Sequence, residues 1–447
     1  MNSFLQRLAA QPGMPQPPTR HKLPRLLYAV NHCYPFSSNG YAVRTHGVAS
    51  ALVRAGVEVI AASRPGTPWG RAGFAADNFA LEHRIDGVRY VHLPQPSQVG
   101  LALPDYLKRS VAAFADLLRV FKPDAVMAAS NWHNALPAAV AAREAGVPFF
   151  YEVRGFWEIS QASRDPAWAG SPGFLHEVAG ETAVAQAAQR VFTINRHMRA
   201  ELVRRGVAAE KVDLVPNGFA GWPSPVTIDV ASHASLGIRA RFVVGYIGSF
   251  NVYEGLEDLI EAVARLRARG VDVALLLVGS STQAAGMALG ECAMSAAYRA
   301  LAVDLLLDAH LLLPGRVTPE QTAAYYALLD VVVIPRRPFE VCEIVSPMKP
   351  VEAAAHGKRV LMSDVAPLAD LVGLCPNFSV FAKGDVAALA DRLGELLAGG
   401  DFELPRCEAL AGLTWERNVV PMVEEVARCK LQGARWQRRP HEVQASC

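Results

Sequence analysis

At 447 residues the chain is too long for one ordinary hydrophobic core and implies two or three domains. Apolar residues make up 51% and charged residues 19%, as in an ordinary α/β globular protein, and a formal net charge of +2 with no basic block argues against a nucleic-acid binder. No apolar window is long enough for a membrane span and the first residues lack a secretion-signal core, so a cytoplasmic protein is expected.

Residues 1–24 are rich in Pro, Gln and Arg and read as a mobile tail, in which Phe4, Leu5 and Leu8 offer at most a short membrane-touching turn. The first regular element is a strand at Arg25–Val30 (RLLYAV). It is followed by a loop over Asn31–Asn39, a helical pattern from Gly40 to Gly56 and a second strand at Val57–Ser63. The same order returns with a strand at Phe242–Gly248, a helix at Leu256–Arg269, Gly270 and a strand at Val271–Gly279. The joints read AGVEV and RGVDV, a helix-stopping glycine followed directly by a strand, and Glu144–Val153 (EAGVPFFYEV) is a third relative. Two such starts about 215 residues apart point to two doubly wound parallel-sheet domains. The expected organisation is an N-terminal Rossmann-like domain over 25–220, a linker over 221–240 and a second Rossmann-like domain over 241–412. A helix over 413–432 opened by Trp415 and a loose tail over 433–447 complete it.

The seven cysteines (Cys33, Cys292, Cys342, Cys375, Cys407, Cys429 and Cys447) are scattered and never in CxxC spacing, so free thiols are expected rather than a disulfide framework or a zinc site.

The segment Pro335–Lys358, PRRPFEVCEIVSPMKPVEAAAHGK, sets two arginines and a lysine against an apolar background. Asp330–Ile334 (DVVVI) before it reads as a buried parallel strand, which puts Arg336 and Arg337 at a strand's carboxyl end, where open α/β sheets bind ligands. Ser346-Pro347 and Lys349-Pro350 are helix-start signals and Gly357 a stop. Cations beside a helix start suit a polyanion, most simply a diphosphate.

Six segments in this order resemble the retaining GT4 family of GT-B glycosyltransferases. They are SSNGYAVRTHGVASALVRAGVEV, YEVRGFWE, VPNGF, GYIGSFNVYEGLEDLIEAV, LLLPGRVTPEQTAAYYALLDVVVIP and SPMKPVEAAAHGKRVLMSD, and the resemblance spans about Arg25 to Lys430. It implies two Rossmann-like domains facing each other across a cleft, the donor on the C-terminal domain, the acceptor on the N-terminal one and a final helix that crosses back. The implied activity is transfer of a hexose from a UDP- or GDP-linked donor to a glycan or lipid-linked hydroxyl acceptor, with retained anomeric configuration, in cell-surface polysaccharide or glycolipid biosynthesis. Neither a metal nor a separate cofactor is implied, because no DxD motif lies in a site loop. Peripheral contact with the inner face of a membrane follows from the same analogy.

Residue by residue, Glu352 matches the second glutamate of the family's E-x7-E motif, which holds the ribose diol; a glutamate serving only its helix's first turn is the alternative. The first glutamate is displaced: Ile344 occupies its position and Glu343 stands one residue early, so either the loop is remodelled or that contact is gone. The loop after the first strand of the C-terminal domain carries Ser249 and Glu254 where relatives carry an arginine and a lysine. Arg336 and Lys349 are therefore the expected leaving-group cations, with Arg337 solvated or turned to a neighbouring carboxylate. Gly248 and Ser249 are expected to let the phosphates approach the backbone, Arg316 and Val317 to frame the base, and Pro347 and Met348 to belong to the same donor surface. In the N-terminal domain, Gly40 resembles the flexible glycine loop near the phosphates, and His133 is expected near a sugar or in a structural hydrogen bond. Arg44 and His46, two apart on a helix, cannot share a face, and Arg154 and Glu158 either bind an acceptor or pair with each other. The competing activities are a nucleotide-sugar epimerase on the same fold and a non-catalytic nucleotide-sugar binding subunit. A dehydrogenase lacks its G-x-G-x-x-G.

Overall fold

The computed structural model describes residues 22–37, 39–69, 80–224, 237–281, 292–400, 404 and 406–437. Residues 1–21 and 438–447 of the expected tails and the centre of the expected linker lie outside these residues, whereas residues 433–437, expected to be loose, continue the last helix. The chain divides into two compact units, the first built from 41–216 together with the residues up to 37 and from 415 on, the second from 217–414 with 38–40.

The first unit holds β1 (Arg25–Val30), β2 (Glu58–Ser63), β3 (Glu82–Ile85), β4 (Val88–Val91), β5 (Ala125–Ala129), β6 (Phe149–Val153), β7 (Arg190–Thr193) and β8 (Val212–Leu214). Their order is β3-β4-β2-β1-β5-β6-β7-β8, and every pairing is parallel except the hairpin of β3 with β4. β1, β5 and β6 are buried along nearly their whole length, as short apolar runs without alternation require when helices cover both faces. The helix Gly40–Arg54 joins β1 to β2, and Gly56 ends that joint with a φ of 86°. The single expected C-terminal helix is two, Trp415–Asn418 and Val420–Gln437. Its first residue, Trp415, is buried in the first unit against Gly47, where an added Cβ would come within 2.4 Å of the indole ring.

The second unit holds β9 (Phe242–Ile247), β10 (Val273–Val278), β11 (Leu311–Gly315), β12 (Val331–Ile334), β13 (Arg359–Ser363) and β14 (Phe378–Phe381). The order is β11-β10-β9-β12-β13-β14, all parallel, so the winding reverses between β9 and β12. That reversal is the topological switch point at which doubly wound sheets form ligand crevices beyond the strands' carboxyl ends. The core pairs Val244, Tyr246, Leu275, Leu277, Val331 and Val333 with the apolar stripe Leu256, Leu259, Ile260, Val263 and Leu266 of the helix Leu256–Ala268. Gly245 lets β9 and β10 pack: a Cβ there would lie 2.1 Å from the Leu276 carbonyl oxygen. Among the described residues no helix is long and apolar enough to cross a membrane.

Candidate active site

The loops that leave β9 and β12 lie side by side because their strands are hydrogen-bonded neighbours. Gly255, the last residue of the first loop, has a φ of 70°, and a Cβ on it would meet the Pro335 carbonyl oxygen at 2.1 Å. Backbone contact at that spacing is open only to glycine. Arg337 N donates to Tyr253 O at 3.0 Å and fixes the second loop against the first.

This contact buries Glu254 beneath both expected leaving-group cations. Its carboxylate accepts from Arg336 at 2.9 Å and 3.4 Å and from Lys349 Nζ at 3.2 Å. Arg336 also donates to the Val345 carbonyl at 2.8 Å, and Lys349 Nζ sits 5.0 Å from the Tyr246 ring centroid. Burial pushes the Glu254 carboxyl up, but Arg336 and Lys349 outweigh it and hold the group down at about 2, so it is ionised. Burial and Arg336 lower the Lys349 ammonium, and Glu254 opposes them. The fold turns the acid at position 254 into the anchor of two cations from elsewhere in the sequence. The charge at this edge is one carboxylate against two cations.

The other donor-site expectations fall out unevenly. Arg337 turns to a carboxylate, forming a two-pronged pair with Asp258 at 2.9 Å and 2.6 Å. Glu343 accepts from Ala366 N at 2.9 Å and pairs with Lys383 at 2.6 Å, so its carboxylate is engaged by the segment after β13 and by Lys383 rather than by the cations. The Glu352 carboxylate has no hydrogen bond within the described residues, and burial raises its pKa while Lys349 opposes the rise. Lys349 packs against Gly248: a Cβ on Gly248, whose φ is 151°, would lie 2.2 Å from Lys349 Cε. The Ser249 carbonyl accepts from the Tyr246 hydroxyl at 2.8 Å. Pro347 is buried and Met348 half-buried in the segment before the helix Lys349–Ala355, and Asn217 of VPNGF secures that segment by donating to Ser346 O at 2.8 Å. Arg316 and Val317, directly after β11, are half-buried, and burial lowers the Arg316 pKa.

Gly40, which groups with the second unit, opens the helix Gly40–Arg54 at the surface. His133 Nε2 lies 3.3 Å from Glu177, a close approach without hydrogen-bond geometry, and Glu177 accepts from Trp132 Nε1 at 2.8 Å. The expected Arg154–Glu158 pair is not formed. Arg154 binds Glu152 at 2.8 Å, and Glu158 binds Arg205 at 2.6 Å. The reason is β6, whose alternation carries Glu152 to the same side as Arg154, while Glu158 lies beyond the strand on the next helix. Arg44 takes the other Glu152 oxygen at 2.9 Å and donates to the Val215 carbonyl at 2.7 Å, whereas His46 turns to Tyr90 and Asp86. Burial raises Glu152, but Arg154 and Arg44 hold it down at about 2. Cys33 and Cys342 are buried, and burial pushes their thiols to about 12 and about 11, which leaves them protonated and unreactive. The partners that sequence reasoning missed are Glu152, Glu177 and Glu254. For Glu254 a signal existed: a lone acid on the loop of a strand adjacent to the one that carries Arg336.

Two doubly wound units, one with cations gathered at its switch point, define a GT-B-type glycosyltransferase. Residues 39–218 match the model of the glycosyl transferase 4-like domain, and residues 241–399 match glycosyl transferases group 1. The chain belongs to this glycosyltransferase family, and the GT4-type resemblance is consistent with it. A search of curated proteins finds no match. Solved structures with the same fold include sucrose-phosphate synthase from Thermosynechococcus elongatus, at 20% identity and a TM-score of 0.65 over 93% of this chain and 98% of that one. Anabaena HepE in complex with UDP-glucose is 18% identical, with a TM-score of 0.61 over 92% and 99%. The catalytic domain of starch synthase IV from Arabidopsis thaliana, bound to ADP and acarbose, is 14% identical, with a TM-score of 0.62 over 93% and 100%.

Proposed function

We propose that this glycosyltransferase moves a hexose from a nucleotide diphosphate sugar to a hydroxyl acceptor with retention of anomeric configuration and without a metal ion. The observation that carries the reading is the pair Arg336 and Lys349, brought together at the switch point of the second unit. As the bond from sugar to phosphate breaks, negative charge grows on the leaving diphosphate, and fixed cations in a poorly solvated place stabilise it without reorganisation. Glu352 is the ribose anchor: a carboxylate with no hydrogen-bond partner within the described residues can accept two hydrogen bonds from a diol when it is ionised. Gly248, Ser249, Arg316, Val317, Pro347 and Met348 form the remaining donor surface. Gly40 and His133 are the residues assigned to the sugar end, and Glu177 lies 3.3 Å from His133 Nε2. The neighbour that carries UDP-glucose favours a uridine nucleotide, and the acceptor class is a glycan or lipid-linked hydroxyl in a surface polysaccharide or glycolipid pathway.

A panel of UDP- and GDP-sugars tested by thermal shift is expected to give one nucleotide class that raises the melting temperature in proportion to its affinity. NMR of the product made with that donor is expected to show the donor's anomeric configuration, at a rate that a metal chelator leaves unchanged. Inverted product or dependence on a divalent cation would overturn the mechanistic part. Epimerised nucleotide sugar formed without acceptor would replace the reading altogether.

A further inference from the structure

The buried carboxylate of Glu254 is not needed for charge at a diphosphate site; by itself it opposes an incoming anion. We infer that Glu254 is a positioning residue that keeps Lys349 protonated and registered beside Arg336, so that the pair meets the donor diphosphate as two full cations; this rests on the donor-site reading above. Three distances carry the inference: Glu254 Oε1 lies 2.9 Å from Arg336 Nη2 and 3.2 Å from Lys349 Nζ, and Lys349 Cε runs 2.2 Å from where Gly248 would carry a Cβ. Two cations sharing one carboxylate oxygen repel each other strongly once that oxygen's charge is gone. Arginine does not give up its proton in a protein, so the lysine is the group that yields. The groups facing Lys349 are Glu254 and Tyr246 from the β9 side, Arg336 and Cys342 from the segment after β12, and Glu352 from its own helix. Tyr246 and Cys342 are buried and neutral, their pKa values raised by that burial, so Glu254 and Glu352 supply the negative charge.

The test is the pH dependence of UDP binding to the full chain by calorimetry, in wild type, Glu254→Gln, Lys349→Arg and the double variant. Removal of the Glu254 charge should leave binding intact at low pH and weaken it as pH rises, moving the alkaline limb down by at least about one pH unit, a tenfold loss of affinity per unit above the limb. Lys349→Arg, which cannot deprotonate, should abolish that limb alone and in the double variant. If Glu254→Gln fails to fold, Lys349→Arg alone still decides: an unchanged alkaline limb overturns the inference. Tighter UDP binding by Glu254→Gln at every pH, with the limb unmoved, also overturns it, since Glu254 would then be only an opposing charge. Absence of UDP and GDP binding in wild type at any pH would sink the donor-site reading instead. In that case labelling of Lys349 by an amine-reactive reagent, followed by peptide mass spectrometry, judges the inference without a ligand. Onset of labelling at lower pH in Glu254→Gln supports it, and identical profiles overturn it.

Discussion

At the scale of single residues the second unit works by contrast between engaged and unengaged charge. Glu254, Arg336 and Lys349 satisfy one another, whereas Glu352 has no such partner within the described residues. Lys349→Ala is expected to weaken donor binding by about 2 kcal/mol, roughly thirtyfold in Kd, the usual worth of a hydrogen bond to a charged group. It should also leave Arg336 paired and the fold intact. Unchanged donor affinity and turnover would remove Lys349 from the site. Glu352 makes a second, pH-resolved prediction. Its pKa is raised by burial, so it takes up a proton earlier than an ordinary glutamate as pH falls. Wild-type donor affinity should then decline on the acid side from above the usual carboxylate pKa, and Glu352→Gln should bind weakly with no such decline. The residue types at this edge were legible in the sequence; the partners were not. Arg336 and Glu254 are 82 positions apart and meet only because β9 and β12 are neighbours, a fact of sheet order that no local pattern carries. The same holds for Arg154. Its sequence neighbour Glu158 looked available at helical spacing, but Arg154 directly follows a strand in extended backbone, where the side chain two positions back lies on the same side.

At the scale of elements the sequence is far more transparent. Buried runs such as VALLLV and VVVI declare central parallel strands, and the glycines of AGVEV and RGVDV end their helices within a residue or two of the expected points. What stayed hidden is how elements close on one another, because that depends on single close approaches. Gly255 illustrates it: Gly255→Ala puts a methyl group 2.1 Å from a backbone oxygen and forces a positive φ on alanine. It should separate the two loops, cost stability, and weaken donor binding although it removes no charge. Donor affinity within twofold of wild type would show that the loop contact is unimportant. Gly47 is the counterpart in the first unit. Gly47→Ala should expel the Trp415 indole, seen as a red-shifted tryptophan emission and a lowered melting temperature, since a methyl cannot share that space. An unchanged spectrum would refute the packing.

At the scale of the whole molecule the balance of buried acids sets how stability follows pH. Glu152 and Glu254, held down at about 2 in the folded chain, bind fewer protons there than when unfolded. The stability they contribute is present above the ordinary carboxylate pKa and is lost as pH falls towards 2. Glu181 has the opposite sign. Burial between the Tyr151 hydroxyl and the Trp132 amide pushes it up to about 8, so its contribution is complete below the ordinary carboxylate pKa and is lost as pH rises towards 8. On these three groups the melting temperature should therefore peak near the ordinary carboxylate pKa and fall on both sides of it. Glu181→Gln keeps an acceptor for the Trp132 amide and a donor for the tyrosine oxygen, and should flatten the alkaline decline. A decline of equal slope in the variant would assign it to other groups. Replacing Glu152 by Ala strands Arg44 and Arg154 in the core and should cost about 3–5 kcal/mol.

Because Trp415 and the helices after it belong to the first unit, the second unit is, in chain terms, a guest inserted into its host between Pro216 and Trp415. A guest with its own sheet and its own core needs no part of the host in order to fold. Residues 217–414 expressed alone should bind the donor nucleotide, whereas a chain cut at 414 should leave the guest folded and the host open where the indole is missing. On the donor-site reading proposed above, the piece that holds the donor is thus separable by scissors placed at only two points.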